Sequence, residues 1–192
     1  MPDLRIKIKD VVLKNPIIIC SGTPTYGPAM VKKCIRSEAA AFVTKTLCYT
    51  EWLQKQPRPR FHIEHPEAID EGGYFSLYST ERLNPMAPEE YARKKMKAYA
   101  LEAHDFDVRV IASIAGTDPD TWSRLADLVT ENGADMIELN LQCPHVEKGQ
   151  PTGMVAGRDP EICYSILELL RKRTSLPIIG KVVGEGVDPI LI

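Results

Sequence analysis

The sequence lacks the cysteine spacing that binds a metal ion or an iron–sulfur cluster. Its five cysteines are Cys20, Cys34, Cys48, Cys143 and Cys163, and no CxxC pair occurs among them. We therefore expect no structural zinc site, no cysteine-ligated cluster and no other metal site in this chain. An odd number of scattered thiols is typical of a reducing compartment, where most cysteines are small buried hydrophobic residues.

Long hydrophobic runs and a strong charge of either sign are also missing. No apolar stretch approaches the roughly 20 residues that a membrane-spanning helix needs, and the first residues lack the apolar core of a signal peptide. The formal net charge of −2 gives no electrostatic reason to expect nucleic acid or an anionic membrane as a partner. We expect a cytoplasmic protein, and residues 1–192 are enough for a single domain.

The chain does contain five apolar runs, each typical of a buried strand. They cover residues 16–20, 40–46, 109–114, 134–139 and 177–183. Helical patterns lie between them at 28–37, 88–104, 119–132 and 160–172, the last two preceded by Asp118 and Asp159 as N-caps. Apolar strands that alternate with amphipathic helices predict an α/β fold of parallel β/α units. An eight-stranded barrel needs eight units and about 250 residues, so we expect this chain to be cut short.

Two segments depart from this alternation. Residues 4–13 alternate apolar and polar side chains, which predicts a half-exposed strand or hairpin. Residues 49–87 contain many prolines and aromatic residues and show no sustained hydrophobic periodicity. A structureless segment of that length is uncommon in a compact domain and is usually functional, so we predict a long active-site loop at 49–87.

Polar and reactive side chains directly follow the apolar run at 134–139. Asn140, Cys143 and His145 fall within six residues, and Pro144 stiffens the exit. In parallel α/β folds the carboxyl ends of strands are where ligands bind. Cys143 is either a buried structural thiol or an accessible reactive one, and its polar, proline-bounded loop favours the reactive thiol. His145 either contacts a ligand or faces water.

Two lysines stand at the ends of other apolar runs. Lys45 and Lys181 each either reach to solvent or pair with an acid. Glu138 lies two residues before Asn140 and shares its face of the strand, so it either belongs to the barrel interior or pairs with Lys181 or Lys45 there, and we favour this structural role over catalysis. Two lysines at the same end of a sheet as a thiol and a carboxamide favour an anion or an electron-rich ring as ligand.

Several short motifs follow one another in a specific order. They are K-N-P at 14–16, S-G-T at 21–23, T-K-T at 44–46, P-R-P-R-F at 57–61, V-I-A-S-I at 110–114, G-A-D-M-I-E-L-N-L at 133–141, C-P-H at 143–145, G-R-D-P-E at 157–161, and Lys181. Together they resemble the FMN-binding catalytic domain of dihydropyrimidine dehydrogenases and, more broadly, the class 1 dihydroorotate dehydrogenases. The similarity covers nearly the whole chain, and the ordered series is far more specific than any single motif.

The resemblance implies a (β/α)8 TIM barrel with FMN at the carboxyl ends of its strands, of which about the first five β/α units are present. The implied flavin contacts are Ser21 and Gly22, through their backbone, and Lys45, Thr46, Asn140 and Lys181. The implied substrate contacts are Asn140, His145 and Ser79. Cys143 matches the family's general acid or base, which handles the proton on the carbon next to the one that exchanges a hydride with flavin. A thiol with an ordinary pKa of about 8.5 needs only a modest shift for this role.

The resemblance predicts an FMN-dependent oxidoreductase of pyrimidine metabolism that acts on a carbon–carbon bond. It would reduce a pyrimidine, or oxidise a dihydropyrimidine or a dihydroorotate-like ring. Ser79 stands where the family commonly has an asparagine, and Gln142 and residues 183–185 also differ from its pattern, so a non-pyrimidine substrate with an activated double bond stays open. A Schiff-base lyase or aldolase using Lys45 or Lys181 also stays open, as does a non-catalytic remnant of the family.

The expected partners follow from the motifs that this chain does not contain. Without a nicotinamide fingerprint or a cluster motif, electrons would come from a segment outside the chain, a partner subunit or a soluble carrier. The family holds the FMN phosphate in loops after its last two strands, so we expect a fragment of a longer enzyme or completion by another chain. A small-molecule substrate is expected, and a homo-oligomer is left open.

Overall fold

The computed structural model of the protein describes residues 2–144 and 152–184. The strands in these residues are β1 (Ile6–Ile8), β2 (Val11–Leu13), β3 (Ile18–Ile19), β4 (Ala41–Val43), β5 (Phe61–Glu64), β6 (Ser76–Ser79), β7 (Arg109–Ile114), β8 (Met136–Leu141) and β9 (Ile178–Val182). The helices are α1 (Pro28–Ile35), α2 (Glu51–Gln54), α3 (Glu67–Glu71), α4 (Pro88–Tyr91), α5 (Lys97–Asp105), α6 (Pro119–Glu131), α7 (Gly153–Ala156) and α8 (Pro160–Arg171). A π-helical turn at Ala92–Met96 joins α4 to α5.

Five strands form a parallel sheet whose order follows the chain. The order is β3-β4-β7-β8-β9, and every neighbouring pair is parallel. A doubly wound sheet reverses its strand order partway, whereas a barrel adds each strand beside the previous one. The predicted α/β fold of parallel β/α units is therefore confirmed, and the sheet is consistent with part of a TIM barrel.

Burial differs between the middle and the edges of this sheet. Every residue of β4 and β8 is buried, as the continuous apolar runs predict. The strand predicted at 16–20 is present as β3, but its predicted burial is wrong, because Ile17 is 59% exposed and Ile18 is 36% exposed. Strand β9 is also only half-buried. Both strands lie at the ends of the described sheet, where each has one neighbour instead of two, so their side chains are less covered.

Helices α6 and α8 begin at the predicted N-caps, whereas the helix predicted at 88–104 is interrupted by the π-helical turn and the one predicted at 28–37 ends at Ile35. The Asp118 carboxylate accepts a hydrogen bond from the Thr121 backbone N–H at 2.9 Å, and Asp159 caps α8 in the same way. Helix α6 ends beside Gly133, which has a φ of 92° that other residues rarely adopt. These capping predictions are confirmed. Among the described residues, no helix combines the length and the apolar character needed to cross a membrane.

Two antiparallel pairs lie outside the main sheet. β1 pairs with β2, which confirms the hairpin predicted at 4–13. Within 49–87, β5 pairs with β6, with Phe61 opposite Ser79, so this segment is not structureless. The pattern gave no sign of these strands because all but one of their residues are exposed, and an apolar alternation requires one buried face. We call 61–79 the ribbon.

Candidate functional site

A cleft of about 280 Å³ lies at the carboxyl ends of the sheet strands. Its lining comes from the ends of β4, β8 and β9, the loop after β3, and the segment around the end of the ribbon. The lining residues are Ser21, Lys45, Thr46, Ser79, Glu81, Arg82, Leu83, Asn140, Gln142, Cys143, Pro144 and Lys181. Side chains that are far apart in the sequence thus face one space, as the parallel topology requires.

One wall of the cleft is a chain of polar side chains held by the sheet. The Asn140 carboxamide donates to the Thr46 hydroxyl at 3.0 Å, and that hydroxyl lies 2.8 Å from the Ser113 hydroxyl. Ser113 donates to Glu138 Oε1 at 2.8 Å, and the same oxygen accepts from Lys181 Nζ at 2.7 Å. We call this chain the sheet wall. Because each buried group has a partner, the wall is a satisfied network rather than a set of isolated polar atoms.

Strand register explains why these side chains meet. Ser113 on β7 lies opposite Glu138 on β8, and Asn140 on β8 lies opposite Lys181 on β9. Glu138 and Asn140 are two residues apart, so both point to the same face of the sheet. The predicted pairing of Glu138 with a lysine is therefore confirmed, and its partner is Lys181.

The opposite wall is formed by the segment that follows the ribbon. Lys45 Nζ lies 3.0 Å from Glu81 Oε1, and both side chains are nearly buried. The Thr23 hydroxyl donates to the second Glu81 oxygen at 2.9 Å. Arg82 donates to the Trp52 carbonyl at 2.6 Å and lies over the Trp52 ring. We call this arrangement the loop wall. It links three separate stretches of chain around one carboxylate.

Cys143 is a buried residue at the border of the two walls. It packs in a small apolar cluster with Cys48, Leu53 and Leu83, and its backbone carbonyl accepts from the Met154 N–H at 3.0 Å. Burial, and to a lesser extent the neighbouring Cys143, raises the pKa of Cys48 to about 12. Cys48 is therefore a protonated, structural thiol at neutral pH.

The structure brings most of the predicted site residues together. Those that line the cleft are Ser21, Lys45, Thr46, Ser79, Asn140, Cys143 and Lys181. Gly22 is not among the lining residues, although it follows Ser21 in the same loop. The prediction for His145 lies outside the described residues. The two lysines stand at the same end of the sheet as Cys143 and line the same cleft.

Sequence reasoning missed Ser113, which belongs to the sheet wall, and several lining residues, among them Glu81. Ser113 is a fully buried polar residue with apolar neighbours on both sides in β7, which is a weak signal that a polar partner lies across the sheet. Glu81 lies in the segment 49–87, which has no hydrophobic periodicity, so no pattern indicates its partner. Only the path of that segment back to β4 brings Glu81 to Lys45.

The chain is similar in sequence to dihydroorotate dehydrogenases. The family model described as "Dihydroorotate dehydrogenase" matches residues 3–187. The catalytic subunit of dihydroorotate dehydrogenase B (NAD(+)) from Caldicellulosiruptor bescii is 30% identical over 186 residues, which are 97% of this chain and 56% of that protein. The subunit of the same name from Pyrococcus abyssi is 31% identical, over 96% of this chain and 55% of that protein. The chain thus spans about half the length of the curated relatives it matches.

Proposed function

This chain belongs to the dihydroorotate dehydrogenase family, and from that premise we propose that its cleft is part of the active site of an FMN-dependent oxidoreductase. The reaction would add or remove hydrogen across a carbon–carbon bond of a small ring such as a dihydropyrimidine. The observation that carries this proposal is the convergence of Cys143, Asn140 and two lysines on one cleft at the strand ends. These four side chains come from three different strands or strand ends, as ligand sites in barrels do.

The donors of the cleft suit a flavin ring. Flavin offers ring carbonyl oxygens and nitrogens that accept hydrogen bonds, and Lys45, Thr46, Asn140 and Lys181 are the residues that would face them. Ser21 and Gly22 would contact the ring through their backbone. A cleft of about 280 Å³ is slightly smaller than a typical small-molecule site of about 300–1,000 Å³. The described residues would therefore hold the ring of FMN rather than the whole cofactor.

Cys143 would handle the proton of the reaction. FMN, when bound, supplies the two-electron chemistry by taking up or giving a hydride. In the oxidative direction the Cys143 thiolate removes the proton from the carbon next to the one that loses the hydride, so that a double bond forms and the thiol remains. In the reductive direction the thiol returns that proton. Asn140, Ser79 and His145 would orient the ring of the substrate.

The remainder of the fold follows from the same family membership. Residues 1–192 would form a single domain that contains the first five β/α units of an eight-stranded barrel, and 49–87 would be its active-site segment. The strands β3 and β9 lie at the two ends of the described sheet, and further units would pair with them. Electrons would be exchanged with a donor or acceptor other than this chain, in a partner subunit, a further segment or a soluble carrier.

A Schiff-base function on either lysine is less well supported. Lys45 Nζ and Lys181 Nζ each donate to a carboxylate, at 3.0 and 2.7 Å. Attack on a carbonyl would first require one of these partly buried ion pairs to break.

An absorbance spectrum of the full-length protein, followed by anaerobic titration, tests the proposed function. We expect bound flavin, and bleaching of its absorbance by dihydroorotate or dihydrouracil. A colourless protein that forms a borohydride-trapped lysine adduct with a carbonyl compound would instead establish the Schiff-base function. A flavoprotein that no dihydropyrimidine and no enoyl compound can oxidise or reduce would refute the assigned reaction.

A further inference from the structure

The cations that line the cleft differ in their partners. Among the described lining residues, Lys45 and Lys181 each donate to a carboxylate, at 3.0 and 2.7 Å. Arg82 lines the same cleft, but in this part of the chain its side chain donates only to backbone carbonyl oxygens. Because a guanidinium is always charged, Arg82 brings a positive charge to the cleft that no carboxylate of the described residues neutralises.

One edge of the Arg82 guanidinium is free. Its Nη1 donates to the Trp52 carbonyl at 2.6 Å and to the Lys55 carbonyl at 3.4 Å. Nε is buried, and neither Nε nor Nη2 has a hydrogen-bond partner among the described residues. The Nε–H and Nη2–H bonds form the fork with which arginine binds an oxygen that carries negative charge. Since a buried donor without a partner costs free energy, this edge favours a ligand oxygen.

The neighbours of Arg82 hold this edge in place. The guanidinium lies 5.1 Å from the centre of the Trp52 ring. The Gln56 carboxamide accepts from the Arg82 backbone N–H at 3.0 Å and donates to the Leu83 carbonyl at 2.7 Å. These contacts fix both the backbone and the side chain of Arg82. The guanidinium is therefore preorganised, as electrostatic catalysis requires.

Arg82 lies on the same side of the cleft as the reactive thiol. Leu83, the next residue, belongs to the apolar cluster that contains Cys143, and Trp52 packs against that cluster. Cys143 would take the proton from one carbon of the substrate ring, or return it. In a dihydropyrimidine this carbon is bonded directly to a ring carbonyl, so the carbonyl oxygen also lies near the thiol.

Negative charge develops on this carbonyl oxygen during the reaction. When the Cys143 thiolate removes the proton, the electron pair of the C–H bond shifts toward the carbonyl, and its oxygen gains negative charge. When the neighbouring carbon loses its hydride to flavin, the same pair forms the carbon–carbon double bond and the carbonyl is restored. A preorganised donor beside this oxygen accelerates the step, because water in a partly enclosed cleft screens the charge weakly.

We propose that Arg82 is a catalytic residue whose free guanidinium edge stabilises the negative charge on this ring carbonyl oxygen. The inference rests on the proposed function and adds a residue to it. Dihydrouracil and dihydroorotate share this carbonyl, so the role of Arg82 is the same for a ring with or without a carboxylate.

The test separates the rate of the reaction from binding. In the full-length flavoprotein, stopped flow measures the limiting rate of flavin reduction by its substrate, and calorimetry measures the dissociation constants of uracil and orotate. Arg82→Ala should lower the limiting rate by about 10²–10³-fold, which is the usual effect of removing one such donor. The dissociation constants should change by less than about threefold, because the charge on the oxygen is present only in the transition state.

Chemical rescue distinguishes catalysis from a structural role. Added methylguanidinium can occupy the space that Arg82→Ala leaves, so it should raise the rate of this variant severalfold and leave that of the natural protein unchanged. Arg82→Lys keeps the charge but loses the fork, so its rate should lie between those of the other two proteins. Arg124→Ala is the matched control. Arg124 lies 4.4 Å from the centre of the Tyr49 ring but is not among the described lining residues, so its loss should not change the rate.

The possible failures can be told apart. An unchanged limiting rate in Arg82→Ala would remove Arg82 from catalysis and leave the proposed function standing. Weaker binding of orotate with an unchanged rate would make Arg82 a binding residue for a carboxylate instead. If Arg82→Ala does not fold, the natural rate in Arg82→Lys would contradict the proposal. If no dihydropyrimidine and no enoyl compound reacts with the flavin, the proposed function fails and this inference fails with it.

Discussion

The two walls of the cleft each hold a lysine with a carboxylate, but they do so by different means. In the sheet wall, Lys181 and Glu138 lie on adjacent strands whose register brings them to 2.7 Å. In the loop wall, Lys45 and Glu81 are 36 residues apart, and the ribbon lies between them in the sequence. Similar chemistry is therefore built once on two paired strands and once on a strand end and a loop segment.

This difference assigns different tasks to the walls. Glu138 accepts hydrogen bonds from both Lys181 and Ser113, which lie on the two neighbouring strands. This pair therefore stabilises the sheet and orients Lys181. A pair that depends on the path of a loop can open locally, because loops have fewer buried contacts than strands. We therefore expect the sheet wall to keep its geometry and the loop wall to open more readily.

The largest effect is expected at Cys143, where the walls meet. Cys143→Ser should slow the proton-transfer step by about 10²–10⁴-fold, because a serine hydroxyl is a far poorer acid and base than a thiol near neutrality. Flavin binding should be unchanged. Stopped-flow flavin reduction measures the rate, and the absorbance spectrum measures the bound flavin.

Cys163→Ser is the control for this change. The Cys163 thiol is buried in α8 and donates to the Ala156 carbonyl, which a hydroxyl can also do. Its rate should stay close to that of the natural protein. An unaltered rate in Cys143→Ser would remove this thiol from the mechanism.

The sheet wall should lose the most stability when its acid is removed. Glu138→Ala leaves Lys181 and Ser113 without their shared partner, and we expect the free energy of unfolding to fall by about 3 kcal/mol. Denaturant unfolding of the full-length protein measures the change. Glu64→Ala is a suitable control, because Glu64 lies on the exposed ribbon and should change stability by less than about 0.5 kcal/mol.

Removal of the acid from the loop wall should destabilise the fold less than removal of Glu138, but it should make the loop segment more accessible to protease. Glu81→Gln should lower the free energy of unfolding by only about 1–2 kcal/mol, since the freed segment can move and let water reach Lys45. Limited trypsin digestion should then cut faster after Lys55 and Arg60, which flank the start of the ribbon. Equal losses in Glu81→Gln and Glu138→Ala, with no change in cleavage, would contradict the distinction between the walls.

The smallest effect is expected far from both walls, at the cap of α6. Hydrogen bonds, chiefly from the Thr121 backbone N–H, lower the pKa of Asp118. Asp118→Ala should cost about 1 kcal/mol of stability at neutral pH. Because the folded-state pKa is lowered, the stabilisation by Asp118 is present above its ordinary value of 3.8 and is lost as the pH falls through the lowered pKa. The difference between the thermal melts of the two proteins should therefore be smaller at pH 3 than at pH 7.

Much of the sheet was predictable because a buried strand appears in the sequence as a run of apolar residues. The runs at 109–114 and 134–139 lie in the middle of the sheet and are mostly apolar, and both were predicted as strands. The ribbon was not predicted, since its strands are exposed and carry no alternation. The burial of residues 16–20 was overestimated, because an apolar run does not reveal how many neighbours its strand will have.

The candidate site was predictable in part for a related reason. Asn140 and Cys143 follow a strand directly, and Lys45 and Lys181 end two others, so the rule that parallel strands end at one edge brings them together. The pairing of Glu138 with a lysine could be expected from its face of the strand. Ser113 and Glu81 could not be assigned, because their partners lie in other elements.

The sequence alone determined the order of the β/α units and which side chains stand at strand ends. Both follow from local patterns of apolar residues, because side chains repeat every 2 residues in a strand and about every 3.6 residues in a helix. Only the tertiary structure decided that Glu81 pairs with Lys45 while Glu138 pairs with Lys181. Contacts across 36 and 43 residues depend on strand register and on the path of a loop, and no local repeat records either of them.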